Sequence, residues 1–135
     1  MNEISGIITV EINPTENSEK IEIAINNFFD YTSLNAVSKL EKNYIIAEIE
    51  GREGLTKFSE RLRQERILNI ARKVLINSVS GNSITFYLNK QVAYVNHISF
   101  CEPESESPLG PIRVELRCDD PNQLINWLTT TQNKF

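Results

Sequence analysis

Leu34-Asn35-Ala36-Val37-Ser38-Lys39-Leu40 and Tyr44-Ile45-Ile46-Ala47-Glu48-Ile49-Glu50 read as two strands separated only by the polar Glu41-Lys42-Asn43. A connection that short belongs to a hairpin. Parallel neighbours need a crossover of a dozen residues or more, so this stretch argues for an antiparallel sheet. The upstream residues agree. Ile4-Ser5-Gly6-Ile7-Ile8-Thr9-Val10-Glu11-Ile12 is β-branched and largely alternating, the pattern of a half-buried first strand. Asn13-Pro14-Thr15 breaks it, Asn17 is placed to cap a helix, and Glu19 sits where a carboxylate favours the helix dipole. Ile21, Ala24, Ile25 and Phe28 fall at i, i+3, i+4 and i+7, which predicts a helix over 18–29.

Downstream, Leu55, Phe58 and Leu62 mark one helical face, and Ile67, Ala71, Val74 and Leu75 another. Two helices, or one broken near Gln64-Glu65, are expected between Glu53 and Asn77. Ser80-Gly81-Asn82 is a turn, 84–88 a strand, and a further strand is expected around Asn96–Cys101. A proline-rich loop from Glu102 to Pro111 leads to a returning strand over 112–117, whose pairing about that loop would set Cys101 opposite Ile112. Asp120-Pro121, a cap followed by proline at the first helical position, opens a last helix with Leu124, Ile125, Trp127 and Leu128. The tail from about Thr129 is expected to fray. Short connections dominate and no repeat is present, so the expectation is one α+β domain over 1–135 with a mainly antiparallel sheet.

The 135 residues are 40% apolar and 24% charged, an ordinary globular balance that excludes disorder, collagen and a disulfide scaffold. The net charge is −4, so the whole molecule is no electrostatic trap for nucleic acid. The distribution is uneven. Met1 to Gly51 holds nine acids and three bases, Arg52 to Lys73 seven bases and three acids, and Val74 to Phe135 six acids and four bases. One segment therefore reverses the sign of the rest. No basic leader follows Met1, and the longest strongly apolar run, Tyr44-Ile45-Ile46-Ala47, is too short for a membrane span. A cytoplasmic protein with no membrane partner and with Cys101 and Cys118 reduced is expected.

The basic segment is the main candidate for binding chemistry. Lys57 and Arg61 share a helix face, as do Arg63 and Arg66, and Arg72 follows. Guanidinium forks suit phosphate because they donate two hydrogen bonds at once. A solvated amphipathic helix is the competing reading, since Glu53 with Lys57 and Arg61 with Glu65 make i,i+4 pairs that need no ligand. From Phe86 to Tyr94, tyrosines alternate with Asn89, Lys90 and Gln91. These could stack on bases and meet phosphate, or simply finish a strand and its turn. Ser107-Pro108-Leu109-Gly110-Pro111-Ile112 is stiff enough for a binding edge or a plain connection. Catalysis is poorly supplied: His97 is the only histidine, no Gly-rich phosphate loop is present, and two cysteines make no metal set. Neither enzyme activity nor a cofactor is expected.

Three blocks bear a family likeness: Arg66-Ile67-Leu68-Asn69-Ile70-Ala71-Arg72, Phe86 through Tyr94, and Glu106 through Ile112. With Pro14-Thr15-Glu16 and the closing Asp120-Pro121 to Trp127-Leu128, they resemble an uncharacterised archaeal family described as RNA-binding and as a predicted exosome subunit. The resemblance implies a fold like that of the L-five type of large-subunit ribosomal protein, a curved, mainly antiparallel sheet with helices on one face. It implies RNA and exosome subunits as partners and assigns no catalytic residue. Arg66, Arg72, Asn89, Lys90, Gln91 and Tyr94 match the family's blocks, whereas Gln64-Glu65, Asn69 and Asn96 depart from them. The leading expectation is a non-enzymatic, RNA-binding accessory protein. Its alternative is a protein–protein adaptor or homodimeric module that binds no RNA.

Overall fold

A computed structural model describes residues 3–103 and 110–130. Among these described residues, seven strands form one open antiparallel sheet: β1 Ile4–Ile12, β2 Ser33–Lys39, β3 Lys42–Glu50, β4 Val79–Ser80, β5 Ser83–Asn89, β6 Phe100–Cys101 and β7 Pro111–Cys118. They lie in the order β2-β3-β1-β7-β5-β4, with β6 also on β5. Five helices accompany it among the described residues, α1 Ser18–Phe28, α2 Thr56–Gln64, α3 Leu68–Asn77, α4 Lys90–Tyr94 and α5 Pro121–Leu128, and the fold is α+β as expected.

Alternation decides which face is covered. Ile4, Ile8 and Val10 of β1, Ile45, Ala47 and Ile49 of β3, Ile84, Phe86 and Leu88 of β5, and Ile112, Val114 and Leu116 of β7 are all buried. Against them lie Ile21, Ile25 and Phe28 of α1, Phe58 and Leu62 of α2, Ala71 and Leu75 of α3, and Leu124 and Leu128 of α5. Phe58 is the hub, stacked on Phe29 at 5.3 Å and on Phe86 at 5.6 Å between ring centres, with Phe28 and Phe100 edge-on. Side chains of that size dominate core energetics, so this cluster joins α1 and α2 to β5 and β6 of the sheet. A 3₁₀ turn at Arg52–Leu55 leads into α2. Its Gly54 is required by space: a Cβ there would overlap Ile49 Cγ2 and come within 2.8 Å of the Asp30 carbonyl.

Asn17 caps α1 by accepting from the Glu19 amide at 2.8 Å, and Asp120 caps α5 by accepting from Gln123 at 3.1 Å, both as the sequence indicates. Other expectations need correction. The hairpin turns at Leu40-Glu41, not over 41–43: both residues have positive φ (51° and 65°), the conformation of the two-residue turn that matches strand twist. Residues 90–94 form the short helix α4, and the strand expected at 96–101 shrinks to Phe100–Cys101. Cys101 lies opposite Tyr87 on β5, not opposite Ile112, because β5 occupies the place beside β7. Both cysteines are free, and burial, the leading cause in each case, pushes their thiols up. Thr129 is buried and donates its hydroxyl to the Ile125 carbonyl at 2.7 Å, so fraying does not begin there. Residues 131–135 and 104–109, the latter including the first half of the 107–112 stretch, lie outside the described residues.

Candidate nucleic-acid interface

The two candidate segments are distant in sequence, and Glu65 of the first reaches the stretch just beyond the second. Glu65 at the end of α2 accepts the Ile98 backbone N–H at 3.2 Å through Oε1, and its Oε2 lies 3.3 Å from His97 Nδ1 and 3.9 Å from Arg61 Nε. An acid that looks from sequence like an intruder in the basic run thus seats the segment after α4 against the end of α2. Asn27 of α1 secures the other side, donating through Nδ2 to the Ala93 carbonyl at 2.9 Å. α4 is thus packed on α1, and the segment that follows it is held at the end of α2.

The basic residues divide by what they touch. Lys57 is committed to α1, pairing with Asp30 at 3.0 Å and donating to the Asn26 carbonyl. Arg63 donates to Ser59 Oγ at 3.0 Å, while Ser59 donates to the Leu128 carbonyl at 3.0 Å. Arg72 reaches Thr129 Oγ1 at 3.3 Å. These two guanidinium groups therefore gather at the C-terminal end of α5, where a helix favours cations. Arg72 is otherwise exposed. Arg61 is partly exposed beside Glu65, with 27% of its side-chain surface open. Arg66 is fully presented: it is exposed, held at φ 58° in the α2–α3 connection, and has no polar side-chain partner among the described residues.

In the 86–94 block the roles also separate. Asn89 caps α4 by accepting the Val92 amide at 3.1 Å. Lys90 is 5% exposed and donates to Glu16 Oε1 at 3.0 Å and to the Glu11 carbonyl at 2.9 Å, so it locks α4 to the end of β1. Burial alone would raise the Glu16 carboxyl. Hydrogen bonds from the backbone and side chain of Asn13, together with Lys90, outweigh it and hold the group below its ordinary range. Gln91 is exposed and Tyr94 38% exposed. Both line a pocket of about 330 Å³ with Thr15, Glu16, Lys20 and Ile21. Lys20 Nζ stands 5.4 Å from the centre of the Tyr94 ring.

Lys20 and the Glu65 carboxylate escape sequence inspection as parts of this surface. Only Lys20 leaves a signal, a lone base one turn after the Asn17 cap. Chemically the surface offers guanidinium groups for phosphate and an aromatic ring with amide and ammonium neighbours for a base or sugar. Among the described residues, no three of His, Cys, Asp and Glu gather to hold a metal ion, and no helix is long and apolar enough to cross a membrane.

A family model described as RNA binding matches residues 7–118. A UPF0201 protein of Sulfurisphaera tokodaii is 47% identical over 123 residues, which are 91% of this chain and 85% of that protein. One from Sulfolobus acidocaldarius is 42% identical over the same length and shares. The crystal structure of a UPF0201 protein from Methanococcus jannaschii, 31% identical, superposes with a TM-score of 0.82 over 93% of this chain and 99% of that one. The fold likeness therefore rests on UPF0201 relatives. The comparison with the ribosomal protein of L-five type has no counterpart among these three, and neither their names nor the family's description speaks of an exosome.

Proposed function

This chain belongs to the archaeal UPF0201 family, whose family model is described as RNA binding, and from that premise we propose that it is a non-enzymatic RNA-binding accessory protein. Its grip on phosphate comes from Arg61, Arg66 and Arg72 on the helical layer, and its contact with a base or sugar from Gln91 and Tyr94. Lys57, Arg63 and Lys90 add positive field, while Asn89 holds the α4 edge in place. The observation that supports this reading is that Arg66 stands exposed in the α2–α3 connection with no polar side-chain partner among the described residues. Binding is weak and salt-sensitive, because the acidic remainder of the chain repels the same backbone that the arginines attract.

Fluorescence anisotropy with labelled single-stranded and hairpin RNA, at low and fourfold higher salt, tests it. Three phosphate contacts on a single strand imply a log–log salt slope of about −2, a loss of roughly twentyfold in affinity. Arg61→Ala with Arg66→Ala should reduce that slope to about −0.7 while helical circular dichroism stays unchanged. An unchanged slope in the folded variant, or no binding at tens of micromolar protein, overturns the assignment.

A further inference from the structure

The cavity of about 330 Å³ between the start of α1 and α4 has an apolar floor and a polar mouth. Ile21 and Ala24 of α1 line it from the core, both buried, and the half-open ring of Tyr94 lines it from α4. Around them stand Thr15, Lys20 and Gln91, all exposed, and none of these three side chains has a hydrogen bond or ion pair among the described residues. Lys20 only approaches the Tyr94 ring. Glu16, the acid in the wall, is neutralised by Lys90 at 3.0 Å. A hydroxyl, an amide and an ammonium group thus converge, unspent, over apolar ground. A pocket of this make suits a flat, neutral ring with polar edges.

We propose that this cavity receives one unpaired base of a bound RNA, a step that rests on the proposed RNA binding. Bases splayed out of a strand are recognised by stacking on aromatic side chains and by hydrogen bonds to their edges. Here the base exchanges the contact between Lys20 and the Tyr94 ring for stacking on that ring. The freed ammonium donates to a ring carbonyl or ring nitrogen, while the Gln91 amide and the Thr15 hydroxyl meet the remaining edge. The volume is at the low end for ligand pockets, so it admits a base with its sugar and not a base pair. Phosphate is the poorer occupant, because the Glu16 carboxylate and the apolar floor disfavour an anion. Tyr94 lies three residues before His97, at most about 11 Å of chain. His97 stands 3.3 Å from the Glu65 carboxylate, which lies 3.9 Å from Arg61. A strand held by Arg61 therefore needs few nucleotides to bring a base to the Tyr94 ring.

Fluorescence anisotropy with two labelled RNA duplexes of equal length, one fully paired and one with a single bulged base, tests this. The full chain should bind the bulged duplex about tenfold more tightly, the worth of one stacked base. Gln91→Ala, at an exposed position, should remove most of that preference and leave affinity for the paired duplex unchanged. Lys20→Ala should also reduce the preference. Without RNA, adenosine and uridine at millimolar concentration should shift the backbone amide resonances of Lys20, Gln91 and Tyr94, and their monophosphates should do so no more strongly. Equal affinity for the two duplexes, or nucleoside shifts elsewhere in the chain, overturns the proposal while the salt slope set by the arginines stands. A monophosphate that binds more than about tenfold tighter than its nucleoside overturns it too, by making the cavity a site for free nucleotides. Failure to bind either duplex overturns the proposed function along with it.

Discussion

Lys90 shows that a residue type alone does not give a side chain's surroundings. An ammonium beside exposed amides suggests phosphate, yet its five heavy side-chain atoms run inward and end on Glu16 and the Glu11 carbonyl. Removing one partner of such a buried pair leaves the other charge uncompensated. Lys90→Met should therefore cost roughly 3 kcal/mol of stability, measured by urea unfolding. Glu16 gives the pair a pH signature. Its folded carboxyl titrates below the ordinary value of 4.5, so the stabilisation is complete above that value and is lost as pH falls through the folded one. Glu16→Gln should flatten the acid limb of the stability curve below about pH 4.5 and leave neutral-pH slopes unchanged. Equal acid limbs in both proteins would remove the pair from the account. Tyr94 differs because its ring is partly open to solvent. Tyr94→Ala should lower RNA affinity by about 1–3 kcal/mol with no change in salt slope, whereas Tyr94→Phe should retain most of it.

At the scale of elements, what was legible followed from local signals. Alternation over Ile4–Ile12, the Asn17 cap and the i, i+3, i+4 spacing of Ile21, Ala24 and Ile25 fix β1 and α1, because each reports its own backbone. Arg66 marks the break between α2 and α3 that the change of apolar face after Leu62 foretells. The α4 helix, at five residues, is too short to show a period, and its start looked like the end of a strand. Pairing of Cys101 with Tyr87 is a tertiary choice that no local pattern encodes. The same distance from local information hides the site: Arg66 is legible as basic, but the reach of its neighbour Glu65 to Ile98 across the fold is not. The hairpin turn holds a correctable strain. Leu40 is 94% exposed and, with Glu41, occupies a left-handed backbone conformation that Asn-Gly adopts readily. Leu40→Asn with Glu41→Gly should raise stability by about 1 kcal/mol, seen as a higher melting temperature with an unchanged circular dichroism spectrum.

For the whole molecule, the uneven charge decides how RNA length acts on binding. The chain carries −4 overall, yet residues 52–73 hold seven bases against three acids. A phosphate backbone is drawn to that segment and repelled by the rest, and salt screens both effects. A longer strand therefore gains no further basic contact once Arg61, Arg66 and Arg72 are engaged, while it meets the nine acids of residues 1–51. Lengthening the RNA should leave the log–log salt slope at about −2. A slope that steepens with length would place further basic contacts outside residues 52–73.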